Sequence, residues 1–299
     1  MVSNGSADFG CVLLTMGKRS DDLRRAVDSL QAQVGVITDI VIVGNGWDPA
    51  TQFPQVKTIY LKENLGIPAG RNAGAEKVSG KYLFFLDDDV YLQDQQTLVK
   101  MKRLFEERAK IGLIQPRVIS TIPGEVTPKR WIPRLRVGDP MKSSVATSLW
   151  EGATAITRET FQSSGGWPDE FFYGHEGIDL VWRVLDCNKI SWYAADIEVS
   201  HPVINPSRHS YFYFLNARNR VWLAKKNLRF PFSLIYPLTW LVISLLRIKG
   251  VENLRSWFKG FLSGITNDPR EKSLTNQRQR KLRWRTHWLL AKFGRPPLI

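Results

Sequence analysis

Cysteine is scarce. The 299 residues hold two, Cys11 and Cys187, with no CxxC spacing, which excludes a disulfide framework and a thioredoxin-like or zinc-ribbon site. Both lie in apolar surroundings and read as core thiols of a reducing compartment. A cleavable leader is also missing from the pattern, because Met1–Phe9 is polar and the first basic residue is Lys18. Phe230–Leu246 is 17 residues without a charge, but Pro231 and Pro237 interrupt it. At about 1.5 Å per residue it reaches about 25 Å, short of the roughly 30 Å hydrocarbon core of a bilayer. There is no internal repeat and no low-complexity segment. Hydrophobic residues make up 43% of the chain, ample for one large α/β domain with an appendage or for two modest domains.

The charge that is present is unevenly spread. Residues 247–299 carry 13 Lys+Arg against 3 Asp+Glu, a net +10 of the chain's +14. Basicity therefore belongs to the tail and points to an anionic surface as its partner.

The chain is organised around Lys81-Tyr82-Leu83-Phe84-Phe85-Leu86-Asp87-Asp88-Asp89-Val90. An apolar, aromatic run that ends in three carboxylates predicts a buried central strand whose carboxyl end opens into a crevice, where open α/β sheets bind ligands. Alternation along extended backbone turns Asp88 away from Asp87 and Asp89. Three adjacent carboxylates need positive compensation, and a hard divalent cation can give it. Capping of a helix or solvation of a turn would use the same residues.

Around this stretch the pattern alternates. Gly10–Thr15, Asp39–Val43, Lys57–Leu61, Gly112–Pro116, Trp150–Ile156 and Ile190–Val199 read as strands. Helices are expected after Ser20 or Asp21, from Pro68 to the stop at Gly80, over Gln95–Lys110 and over Gly177–Leu185. Strand and helix at this spacing make a mostly parallel, Rossmann-like sheet. Residues 120–148, rich in Pro, Gly, Ser and Arg, are expected to form a long functional loop.

A second acidic signal is Phe171-Phe172-Tyr173-Gly174-His175-Glu176-Gly177-Ile178-Asp179-Leu180-Val181-Trp182-Arg183. Glu176 and Asp179 are three residues apart at a helix start, on neighbouring faces of one turn. Asp179 with Arg183 could equally be an i,i+4 ion pair. His201 closes the last strand, where an imidazole could complete a metal site with two carboxylates or simply be a core residue.

Taken in order, Thr15 with Arg19, Val41–Gly46, Glu63-Asn64-Leu65-Gly66 with Gly70–Gly74, the Asp87–Asp89 run, Gly165–Phe171, and Glu176 with Asp179 and Arg183 resemble the family-2 glycosyltransferases of GT-A fold. The likeness extends over roughly residues 9–203 and takes in relatives that transfer rhamnose or galactofuranose. It implies a nucleotide-sugar donor. Thr15, Arg19, Gly44 and Asn45 then match positions near the base. Asn64, Gly66, Arg71 and Asn72 match the loop at the nucleotide and its diphosphate. Asp87 and Asp89 match the pair that holds Mg²⁺ or Mn²⁺, with Asp88 nearer the ribose or sugar and His201 completing the metal site. Trp150, Glu151 and Gly152 fall where relatives line the acceptor side. Two positions depart from the pattern: Gly44 stands where many relatives have Asp, and Gly177 where many have the second acid of a Glu-Asp pair, often the base. Glu176 and Asp179 remain as candidates for the base, Glu176 preferred.

The expected organisation is a catalytic domain over 1–205 and a basic, aromatic helical extension over 206–299. Ser207–Leu228 reads as a helix. Phe230–Leu246 reads as an in-plane helix or embedded hairpin flanked by Lys225, Lys226, Arg229, Arg247 and Lys249. Basic faces with Trp284 and Trp288 suit an anionic lipid interface. Nucleic acid would favour a similar composition, but no recognition motif accompanies it. The expected protein is an inverting, metal-dependent transferase peripheral on the inner face of the cytoplasmic membrane, acting on a cell-envelope glycan or lipid-linked acceptor. The alternatives are a sugar-phosphate nucleotidyltransferase, for which Met16–Arg19 is too thin a phosphate loop, and a non-catalytic binding protein on a degenerate transferase scaffold.

Overall fold

The computed structural model describes residues 6–203, 211–274 and 280–293. Its centre is the apolar run singled out above, which forms strand β4 (Tyr82–Asp87), with Leu83, Phe84 and Phe85 wholly buried. Burial of such side chains stabilises by about 1.5–3 kcal/mol each, which fixes this strand in the middle of the sheet. β4 lies beside β1 (Phe9–Thr15), parallel to it, with Leu14 opposite Asp87. Outward from β1 run β2 (Thr38–Asn45) and β3 (Lys57–Leu61), both parallel. On the other side β7 (Ala153–Thr157) is antiparallel to β4 and to β5 (Ile111–Ser120). β8 (Ile190–His201) is parallel to β5, and the two-residue β6 (Ser144–Val145) closes the edge against β8. The eight-stranded order is β3-β2-β1-β4-β7-β5-β8-β6.

Helices cover both faces. In α1 (Ser20–Gln31), Leu23, Ala26, Val27 and Leu30 recur at helical spacing and are buried. α2 (Ile67–Ala75) comes close to the sheet because it carries glycines. A Cβ on Gly70 would lie 2.4 Å from Leu14, and one on Gly74 2.3 Å from Val12. α3 (Thr97–Glu107), α4 (Arg158–Ser164) and α5 (Glu176–Asp186) complete the sandwich.

Within residues 120–148 the chain forms a 3-10 turn at Lys129–Trp131, the short strand β6 and a bridge between Leu135 and Ala146. It ties itself to the sheet edge and buries Trp131.

Beyond the sheet lie α6 (Phe212–Asn227), α7 (Phe232–Arg247), α8 (Val251–Thr266) and α9 (Trp284–Phe293). The boundary at 205/206, and residues 207–210 of the predicted helix, lie outside the described residues. α6 sends Trp222, Leu223 and Ala224 into the same core cluster as Val12, Phe85 and Leu180. Asn219 also caps the carbonyls of Phe171, Tyr173 and Gly174 at 2.8–2.9 Å. α7 behaves differently: Tyr236 and Pro237 are its buried residues, while Leu234, Ile235, Leu238, Val242, Leu245 and Leu246 are exposed. Among the described residues no helix is long and apolar enough to cross a membrane.

Candidate active site

Strand β4 ends at Asp87, so alternation ends there too, and the next two acids sit in a turn closed by the Val90 N–H on the Asp87 carbonyl. Asp88 accepts the Thr15 hydroxyl at 2.7 Å and pairs with Arg19 at 3.2 Å. Arg19 also grips Asp89, so this one guanidinium joins two acids. Asp89 meets His201 Nε2 at 3.4 Å. Asp87 takes the Arg71 guanidinium at 2.6 Å. Burial pushes the Asp88 carboxyl up from its ordinary range.

His201 stands in an aromatic box, edge-on to Trp131 at 5.0 Å and to Trp150 at 5.2 Å. Burial lowers its pKa to about 4, so the imidazole is neutral near pH 7. Its Nδ1 is buried and has no partner among the described residues. Neutral imidazole plus carboxylate oxygen is a donor set that Mn²⁺ or Mg²⁺ accepts, and the 3.4 Å gap between Asp89 and His201 is one a cation can bridge. Among the described residues no three acidic, histidine or cysteine side chains are already gathered as a metal cluster. Arginines hold the acids instead.

Arg71 lies 1% exposed, stacked over Trp167 at 4.7 Å. The same nitrogen that meets Asp87 donates to the Glu151 carbonyl at 3.0 Å, while Nε and Nη1 have no partner. The Gly152 carbonyl accepts the Asp87 N–H at 2.9 Å. The 150–152 segment is thereby fastened to the end of β4. Trp150 packs against His201, and Gly152 is required because a Cβ there would fall 2.3 Å from the Trp150 ring.

Behind Arg71 is a cavity of about 120 Å³, lined by Glu151, Tyr173, Gly174, His175, Glu176, Phe212 and Asn216. Glu176 is 3% exposed and its Oε2 is buried without a partner among the described residues. Burial raises its pKa, with Arg71 pulling the other way. Burial and the neighbouring Glu176 charge push Glu151 up to about 8.

Asp179, the other base candidate, is placed elsewhere. It is wholly buried and bound by Arg183 at 2.7 Å, Asn227 at 2.7 Å and Lys226 at 3.3 Å. Against its burial, Arg183 and Lys226 hold its pKa below the usual carboxylate range. Its oxygens are used up in holding α5 to α6, and it does not line the cavity. Lys226 is correspondingly not a surface cation flanking α7; it is buried between Glu170 and Asp179.

The remaining sequence candidates brace the site. Asn45 donates to Asn64 at 2.9 Å and to the Gly66 carbonyl at 3.1 Å, and it accepts the Leu65 N–H. Asn72 spends both ends of its amide on the Trp167 backbone. A Cβ on Gly44 would lie 1.8 Å from the Trp47 carbonyl, which is why no acid can stand there. Spacing gave no sign of Trp131, which reaches His201, or of Lys226 and Asn227, which reach Asp179, from distant parts of the chain.

The pattern of glycosyl transferase family 2 matches residues 11–164, just over half of the chain. The chain belongs to that family. Curated relatives agree over shorter stretches. The glycosyltransferase GlyA of Streptococcus pneumoniae serotype 4 is 29% identical over 99 residues, 30% of this chain and 14% of GlyA. The uncharacterized glycosyltransferase YibD of Escherichia coli strain K12 is 30% identical over 101 residues, 30% of this chain and 29% of YibD. The chain thus spans less than a third of either relative. Solved structures share the fold at low identity. Staphylococcus aureus TarS 1–349 in complex with UDP superposes with a TM-score of 0.60 at 15% identity, covering 95% of this chain and 87% of that one. GalNAc-T7 with UDP, GalNAc and Mn²⁺ gives 0.63 at 15% identity, covering 99% and 59%. The fold of this member of the family is GT-A, a mostly parallel sheet flanked by helices.

Proposed function

We propose that the protein is an inverting, divalent-metal-dependent glycosyltransferase that moves a sugar from a nucleotide-sugar donor to a hydroxyl of a cell-envelope glycan or lipid-linked acceptor. One observation carries the reading: Arg71, which holds Asp87 at the sheet mouth, also acts on Glu176, whose Oε2 is buried without a partner among the described residues and which lines a small cavity. Two chemistries are thus set side by side, diphosphate handling on one side and proton removal on the other.

Thr15, Arg19, Gly44, Asn45, Asn64, Gly66, Arg71, Asn72 and Asp88 would form or support the nucleotide-sugar site. Asp87, Asp89 and His201 would hold Mg²⁺ or Mn²⁺, which when bound neutralises charge on the departing nucleoside diphosphate. Arg19 and Arg71 orient those acids and add positive charge where the diphosphate would lie. Glu176 takes the proton of the acceptor hydroxyl as its oxygen attacks the anomeric carbon from the face opposite the leaving group. A cavity of about 120 Å³ suits a hydroxyl group and its carbon, not a nucleotide. Of the acceptor-side candidates Trp150, Glu151 and Gly152, Glu151 lines that cavity.

The catalytic unit in this reading is 1–205. The extension, 206–299, sets it on the inner face of the cytoplasmic membrane. The exposed face of α7, with Leu234, Leu238, Val242 and Leu245 at helical spacing, and the exposed Trp288 support this. The basic tail supplies attraction to anionic lipid. Sedimentation with vesicles containing phosphatidylglycerol should fall sharply in Leu238→Asp/Leu245→Asp, and equal sedimentation of that variant would refute the docking.

The test of the activity is a panel of nucleotide sugars, read as release of nucleoside diphosphate with Mn²⁺, with Mg²⁺ and with a chelator. Metal-dependent release from one donor is expected. Release from none, with or without metal, would end the proposal.

A further inference from the structure

The cavity behind Arg71 contains two carboxylates, and the mechanism above uses one. Glu151 enters from the segment before β7, Glu176 from the first turn of α5. Glu151 Oε1 accepts the Gly177 N–H at 2.9 Å. A Cβ on Gly177 would lie 2.4 Å from that oxygen and 2.7 Å from the carboxyl carbon. The Glu151 carboxylate therefore fills the space that a side chain at 177 would take. Gly177 lies inside a helix and is not among the residues with positive φ, so backbone conformation does not demand glycine there. Glu151 does.

The charge balance is equally specific. Arg71 favours ionisation of both Glu151 and Glu176, yet it already serves Asp87. One guanidinium faces three acids. Glu176 has an oxygen with no partner, and Glu151 and Glu176 share the cavity wall.

We propose that Glu151 and Glu176 form a single two-carboxylate proton acceptor, with Glu151 as a second catalytic residue at the acceptor hydroxyl. The acceptor O–H bond breaks and its proton passes to the pair. The freed oxygen electrons form the bond to the anomeric carbon, and the old carbon–oxygen pair leaves with the nucleoside diphosphate. Two acids that share a cavity titrate as a unit, so the proton taken from the acceptor belongs to the pair and not to either acid alone. The elevated Glu151 pKa agrees with this. The inference rests on the transferase reading above.

The test uses the donor found by the panel and moves the carboxylate between elements. Glu151→Gln should lower kcat by about 100-fold, while the donor's nucleoside diphosphate binds with unchanged Kd. A kcat equal to wild type would overturn the proposal. Glu151→Ala should be similarly slow, and adding Gly177→Asp, whose side chain then has room, should regain about tenfold or more. The matched Glu151→Ala/Gly177→Asn variant should not recover. Equal rates for the Asp and Asn double variants would overturn it, since space rather than charge would then matter. Thermal melting of each variant separates misfolding from slow chemistry. Absence of any wild-type turnover would instead count against the transferase reading itself.

Discussion

The acids at the mouth of the sheet and the acids of the cavity share Arg71, and the molecule balances them in different ways. Asp87, Asp88 and Asp89 each have an arginine, from Arg71 or Arg19. Glu151 accepts the Gly177 N–H, both cavity glutamates have Arg71 as the cation that favours their ionisation, and burial raises both carboxyls. A sixth acid sharpens the contrast. Asp179 is three residues from Glu176 on the same helix, yet Arg183 and Lys226 keep it ionised. Paired acids are held as fixed charges. Acids without a cation of their own are where a proton can move.

That contrast can be broken in three places. The largest effect is expected at the sheet mouth: Asp89→Ala should cost about 3 kcal/mol or more of transition-state stabilisation, at least about 100-fold in turnover of the panel's donor. Near-wild-type turnover with the metal still required would remove Asp89 from the donor site. The next effect is on stability. Asp179→Asn leaves Arg183 and Lys226 without their shared buried anion and should cost about 3 kcal/mol, lowering Tm by on the order of 6 °C or more. Activity per folded molecule should be retained, and a selective loss of kcat at unchanged Tm would return Asp179 to the catalytic candidates.

The smallest effect is a pH dependence of melting. The folded state binds a proton at Glu151 more tightly than the unfolded chain does. That contribution is therefore whole below the ordinary glutamate range and is lost as pH rises towards about 8. Asp179 works in the opposite sense: its lowered pKa stabilises at neutral pH and is lost on acidification. Glu151→Gln should flatten the decline of Tm between about pH 5 and pH 8. An unchanged slope would show that another group carries it.

Much of the fold was legible along the chain because its signals are local. An apolar run ending in acids marked β4, the spacing of Leu23, Val27 and Leu30 marked α1, and Pro68 marked the start of α2. β7 was visible as a strand, but its antiparallel direction is a property of its neighbours. At the site the residue types were legible and their partners were not. Trp150 could have faced a sugar, and it packs edge-on against His201. Asn72 could have faced a diphosphate, and it braces Trp167. Lys226 was expected beside a membrane and is buried against two acids.

By itself the amino-acid sequence determined the strand that ends in Asp87, the residue types at the sheet mouth and the basic tail, since each is written in neighbouring positions. Only the tertiary structure decided which acids are paired. That depends on Arg19 meeting Asp88 and Asp89, Arg71 meeting Asp87, and Lys226 meeting Asp179, contacts across tens of residues that no local pattern encodes. An acid's proton affinity is set by what surrounds it in space, so the division between fixed charge and proton acceptor is a property of the folded molecule.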